Sequence, residues 1–148
     1  MLAIISPSKT QDFSGCNIEK FSQTRQQESS SELISILKNQ SQSQISKLMS
    51  ISEKLSALNF ERFQKFKIPF TLENAKQAIL AFKGDVYNGI DAPSLSTEDL
   101  NFAQDKVRML SGLYGVIRPL DLIQPYRLET VSYTHLRAHE TDSYLVCR

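Results

Sequence analysis

Apolar positions recur at helical spacing over much of this chain, and polar residues of capping type punctuate them. Leu33, Ile34 and Leu37 form one stripe behind Ser29 and Glu32, whose separation is that of a capping box, which predicts a short helix to about Asn39. Ile45, Leu48 and Met49 mark a second helix. Ile51, Leu55, Leu58 and Phe66, with Phe63 close by, recur near the helical period and predict a third from Ser52 to Phe66, its stripe in the core and its end set by Pro69. Thr71, Glu73 and Asn74 open an amphipathic helix over Ala75 to Phe82 that stops at Lys83-Gly84. Ser96 and Asp99 begin a long helix carrying Leu100, Phe102, Ala103, Val107 and Leu110. The run Leu2 to Ile5, closed by Ser6-Pro7, instead predicts a strand buried on both faces. Residues 14 to 31, rich in Ser and Gln, are expected to form an exposed connection without a functional role. Helices outnumber strands, so the fold class expected is α+β.

Composition narrows the function more than the fold. The chain has 148 residues, enough for one domain with its own core, and a formal net charge of +1, so any basic surface has to come from local clustering. Such clustering occurs between Lys106 and Arg127, where Lys106, Arg108, Arg118 and Arg127 face a single acid, Asp121. Cys16 and Cys147 have neither disulfide-framework nor zinc spacing. The run Met1 to Ile5 is too short for a secretory leader and no later run is long enough for a membrane span, so a cytoplasmic protein is expected, with no membrane partner.

Three phrases carry candidate chemistry. Ser6-Pro7-Ser8-Lys9-Thr10 places two hydroxyls and a lysine on a stiffened turn at the end of a strand, which suits an anionic group or simply a solvated turn. Lys83-Gly84-Asp85-Val86-Tyr87-Asn88-Gly89 sets a lysine, an acid and a tyrosine among glycines, as in a shaped loop at a cleft or a plain helix exit. The densest phrase runs from Arg108 to Asp121. A helix ending at Ser111-Gly112, a tight turn through Tyr114-Gly115 and a restart at Val116 would make a helix-hairpin-helix near residues 97–123, its turn amides on a phosphate and Arg108 and Arg118 bracketing it. The alternative is a glycine-terminated helix followed by a surface turn.

The last segment reads differently. His135 and His139 stand at a spacing that fits a shared metal. However, Val131 to Thr141 resembles the translation of a transposon-end adapter used in short-read sequencing libraries, and Leu145 to Arg148 resembles the next constant adapter segment. Residues 130–148 are therefore expected to be a non-native tail after Glu129, and no metal site is assigned to the histidines. Removing the tail leaves the charge balance unchanged, because it holds two basic and two acidic residues.

The three phrases, in order and continued by Pro125-Tyr126-Arg127-Leu128-Glu129, resemble the YaaA family of bacterial peroxide-stress proteins over essentially all of residues 1–129. The family usually has Ala where this chain has Ser8. The resemblance implies a single mixed α/β domain, the cantaloupe fold, of which residues 1–129 would be the N-terminal part. It also implies a cytosolic DNA-binding protein that limits oxidative damage, without a cofactor, whose partner is double-stranded or structured DNA. On that reading Lys9, Lys83 and Arg127 line a basic cleft. Ser111, Gly112, Tyr114, Gly115, Arg108 and Arg118 serve the phosphate-gripping turn. An alternative is an enzyme acting on damaged DNA or a nucleobase, with Lys9 or Lys83 as nucleophile or anchor and Asp85 and Tyr87 nearby. A weaker one is a factor limiting free iron, for which residues 1–129 offer no histidine and one cysteine.

Overall fold

A computed structural model describes residues 1–129 and Ser132. The expected tail thus lies outside the described residues, apart from Ser132. The fold is α+β, with helices dominating the first half and two small sheets, one joining the first strand to the last third of the described chain and the other pairing residues 76–77 with 122–123.

Three helices follow the sequence pattern closely. Helix α1 (Gln27–Lys38) buries Leu33, Ile34 and Leu37. It begins two residues before Ser29, so the expected capping box does not form. Its start is fixed instead by Ser30, whose hydroxyl reaches the carbonyl oxygens of Gln26 at 3.0 Å and of Leu113 at 2.9 Å. Helix α2 (Gln42–Met49) is capped by Ser41, which accepts from the Gln44 amide while the Gln44 side chain accepts from the Ser41 amide. Helix α3 (Glu53–Lys65) is capped by Ser52. Its buried face differs from the expected stripe: Ser56, Asn59 and Phe63 point inward and Leu58 is exposed. The small Ser56 bonds the Gln42 carbonyl, so α2 and α3 approach through a polar contact where an apolar side chain would hold them apart.

The segment expected as one helix over Ala75 to Phe82 is split. Strand β2 (Lys76–Gln77) pairs antiparallel with β5 (Leu122–Ile123), and only then does a single helical turn, α4 (Ala78–Ala81), follow. Every residue from Lys76 to Ala81 is buried, and the Gln77 side chain donates to the carbonyls of Ile18 and Lys20, both at 2.8 Å. An element surrounded on all sides has no apolar stripe to define its period. Those Gln77 bonds also tie down the 14–31 segment, where Ser22 pairs with Asp121 and Thr24 is buried, so it is only partly the exposed connection expected.

Helix α5 (Asp85–Ile90) occupies the expected loop, and a one-turn 3₁₀ helix (Ala92–Ser94) follows it. Helix α6 (Thr97–Lys106) starts as predicted, with Ser96 and Asp99 forming a capping box, but Phe102 of the expected stripe is exposed.

The expected helix-hairpin-helix is a β-hairpin. Helix α6 ends at Lys106, β3 (Val107–Ser111) follows directly, and a tight turn leads to antiparallel β4 (Gly115–Ile117), with Leu110 opposite Val116. Val107, Met109 and Ser111 alternate with Arg108 and Leu110, a period of two that short length disguises as the continuation of a helical stripe. Strand β1 (Ala3–Ile5) adds in parallel on the other side of β3, giving the order β1-β3-β4. β1 is thus an edge strand with one solvent face, where burial on both faces was expected, and Ile4 is 61% exposed.

The main core joins α1 to α3 with Met109 and Ile117 and with an aromatic group of Phe70, Phe82, Tyr114 and Tyr126. Tyr114 lies edge-on to Tyr126 with ring centroids 5.0 Å apart. Among the described residues no helix is long and apolar enough to cross a membrane.

Candidate functional site

The fold draws three of the sequence phrases together at the carboxyl end of β1. The Lys83 amide donates to the Thr10 carbonyl at 3.0 Å, and Gln11 bridges Phe82, which lays the two lysine-bearing loops side by side. Gly84, at a φ of 127°, turns the chain beside Ser8 in a conformation that disfavours any side chain. The Tyr87 hydroxyl donates to the Ser6 carbonyl at 2.6 Å. On the other flank, the Gln11 amide group donates to the Tyr126 carbonyl at 3.0 Å and accepts from the Tyr126 amide at 3.2 Å. That clamp brings the segment from Tyr126 to Glu129 against the Ser6–Lys9 turn. Gly112 admits it from below, because a Cβ there would collide with the Leu128 carbonyl oxygen.

Between these segments lies an open cavity of about 500 Å³, with the Ser6-to-Lys9 turn on one wall, Leu110 and Gly112 at its base and Tyr126 to Glu129 opposite. Its charge is unevenly compensated. One Glu129 carboxylate oxygen sits 2.9 Å from Lys9 Nζ and 4.0 Å from Arg127 Nη2. The hydrogen bond from Lys9, with the charges of Lys9 and Arg127, holds the Glu129 carboxyl below the usual carboxylate range. The Arg127 side chain is 21% exposed, and its Nε is buried with no hydrogen-bond partner among the described residues. Behind it, burial and then the nearby Arg127 charge push Arg62 below the usual guanidinium value. Two guanidinium groups thus interact in a partly desolvated place.

Lys83 faces a neighbouring cavity of about 180 Å³ that Tyr87 and Asn88 also line, and its ammonium lies 4.0 Å from Asp12. Hydrogen bonds from Ser14, and then the charges of Lys76 and Lys83, hold the Asp12 carboxyl low. Burial, and secondarily Tyr126, pushes the Tyr87 phenol well above its ordinary value, so it stays a neutral donor. Asp85 is the exposed first residue of α5.

The residues expected at the phosphate-gripping turn are mostly engaged within the fold. Ser111 Oγ accepts from the amides of Leu113 and Tyr114, at 3.3 and 3.0 Å, and donates to the Tyr126 hydroxyl at 2.8 Å, so those turn amides are already bonded. Tyr114 is fully buried, its hydroxyl bridging the Gln124 carbonyl and amide. Gly115, at a φ of 71°, leaves room for Gln26. Arg118 grips the fully buried Asp121 from Nε and Nη2 and donates to the Gln23 carbonyl at 3.1 Å. Arg108 bonds the carbonyls of Gln104 and Val107, at 2.8 and 2.7 Å, and so closes the end of α6. Of the expected phosphate ligands, Lys9, Arg127 and Gly112 line the larger cavity and Lys83 the smaller.

Sequence reasoning passed over Gln11, Arg62 and Glu129. Gln11 follows the Ser6–Thr10 phrase directly and had a readable position. Arg62 lies mid-helix, and only the three-dimensional approach of α3 to Arg127 gives it a role.

The geometry defines an α+β protein with a cation-lined cavity at the end of a parallel strand. Comparison with known proteins supplies the family: a model described as peroxide stress protein YaaA matches residues 1–143. A UPF0246 protein of Cellvibrio japonicus (strain Ueda107) is 55% identical over 130 residues, which cover 87% of this chain and 50% of the relative. The chain belongs to the YaaA family of peroxide stress proteins, and it spans about half the length of that curated relative.

Proposed function

We propose that this protein is a cytoplasmic DNA-binding factor of the hydrogen peroxide stress response, which protects DNA by holding its backbone through Lys9, Lys83 and Arg127. The stress role follows from the family. The carrying observation for DNA is the convergence of the Ser6–Thr10, Lys83–Gly89 and Tyr126–Glu129 segments, which sets these cations around two adjoining cavities. The carboxylates that answer Lys9 and Lys83, Glu129 and Asp12, are both about half exposed. Exposed pairs of this kind contribute little to stability, so a phosphate can replace the carboxylate at little cost. Contacts of this sort position a duplex without reading its sequence.

The test is duplex binding as a function of salt. Affinity is expected to fall steeply with salt and to differ little between sequences, and the double variant Lys9→Gln/Lys83→Gln is expected to flatten the log–log slope by roughly 2. Salt-independent binding, or a slope unchanged in the double variant, would contradict the reading.

A further inference from the structure

The cavity at the end of β1 already holds an anion of its own. A carboxylate oxygen of Glu129 lies between the Lys9 ammonium and the Arg127 guanidinium. Yet one monoanion leaves the place under-occupied. Arg127 Nε–H is buried without an acceptor among the described residues. Ser8 Oγ accepts from the Thr10 amide at 3.1 Å, which leaves its own hydrogen free to donate into the cavity. Donors of this number and charge fit a dianion with several acceptor oxygens better than a lone carboxylate. The rest of the cavity is apolar where Pro7, Leu110 and Leu128 line it, and its volume of about 500 Å³ lies in the range of small-molecule sites.

We infer that this cavity is a phosphomonoester site, and that the Glu129 side chain occupies its anion position as a displaceable placeholder. The phosphate takes the carboxylate's place between Lys9 and Arg127 and lays its organic body along the apolar wall. Displacement is easy, because Glu129 is half exposed and can swing into water. The inference rests on two of the cations used in the DNA reading and adds a preference: a terminal phosphate, carrying nearly two charges, over an internal diester carrying one. Two sources present that group, a free mononucleotide and the 5′-phosphate at a strand break.

Titration calorimetry on the full chain with 5′-AMP and with adenosine tests the phosphate, and anisotropy with nicked duplexes bearing a 5′-phosphate or a 5′-hydroxyl tests the strand end. We expect 5′-AMP or the phosphorylated nick to bind about tenfold or more tightly than its dephosphorylated counterpart. Lys9→Gln should remove that preference. Glu129→Gln should strengthen phosphate binding several-fold, a gain that misfolding cannot produce. A preference for the nick alone identifies the strand end as the source, and a preference for 5′-AMP alone identifies the free nucleotide. Equal binding with and without the phosphate, or a Glu129→Gln variant no tighter than the parent, overturns the inference. Salt-sensitive binding to intact duplex without any such preference overturns it while leaving the DNA reading in place. Phosphate preference without duplex binding does the reverse.

Discussion

The three-stranded sheet has two faces of similar apolar content and opposite surroundings. On one, Ile5, Met109 and Ile117 stand in register and join the main core, Met109 and Ile117 with no exposed surface. On the other, Ile4 is opposite Arg108 and Leu110 opposite Val116, and Leu2, Ile4, Leu110 and Val116 are all exposed. Apolar character on alternate positions therefore marks the strand but does not say which face is covered. What decides it here is the layout of α1 to α3, whose buried residues share a cluster with the inner face only.

Substitution should separate the faces by a wide margin. Met109→Ala is expected to cost about 2–5 kcal/mol, the range for removing a fully buried side chain. Leu110→Ala, its neighbour on the outer face, should cost well under half as much. Urea denaturation measures both, and equal losses would mean that the outer face is as well packed as the inner. The tyrosines that back the inner face give the next effect. Burial pushes the Tyr126 phenol up to about 12, against which the hydrogen bond from Ser111 acts only weakly. Tyr87 and Tyr114 are shifted in the same direction by the same cause. A phenol whose folded value is raised contributes stability in full below its unfolded value, near 10, and loses it as pH rises through the folded one. Tyr126 alone should then cost roughly 2–3 kcal/mol between pH 10 and 12. Unfolding should track ultraviolet tyrosinate absorbance, and titration of all five tyrosines near pH 10 in a folded chain would refute it. The smallest effect joins the sheet to the cavity. Gly112→Ala should cost about 1–3 kcal/mol by forcing Leu128 off the turn. It should also weaken phosphate binding, because Gly112 lines the cavity.

Much of this was readable from the chain where a local signal stood alone. The third helix begins at Ser52 and the long one at Ser96 and Asp99 as expected, and Leu33, Ile34 and Leu37 are buried as their spacing implies. The errors fall where two periods overlap or where burial is complete. Val107 and Leu110 fit a helical stripe begun at Leu100, and only pairing with β1 and β4 reveals their strand. Arg118 and Asp121 carried a readable clue, since their i,i+3 spacing permits the ion pair that turns Arg118 away from solvent. At the site, the sequence supplied Lys9, Lys83 and Arg127 as cations. Their grouping depends on contacts between segments remote in the chain, above all the Gln11 clamp on Tyr126, and no local pattern encodes these.

That clamp also sets an order of events. Gln11 and Tyr126 lie 115 residues apart, and β1 finds its partner only in β3, so the first strand made is among the last elements to acquire its neighbours. Contacts of such long range close slowly, because the chain loses loop entropy before it gains them. On a ribosome, α1 to α3 can pack while β1 still waits with Ile4 and Ile5 bare. The cation cavity therefore comes into being only at the end of folding, and the protein has no phosphate site until nearly all of the described chain is in place.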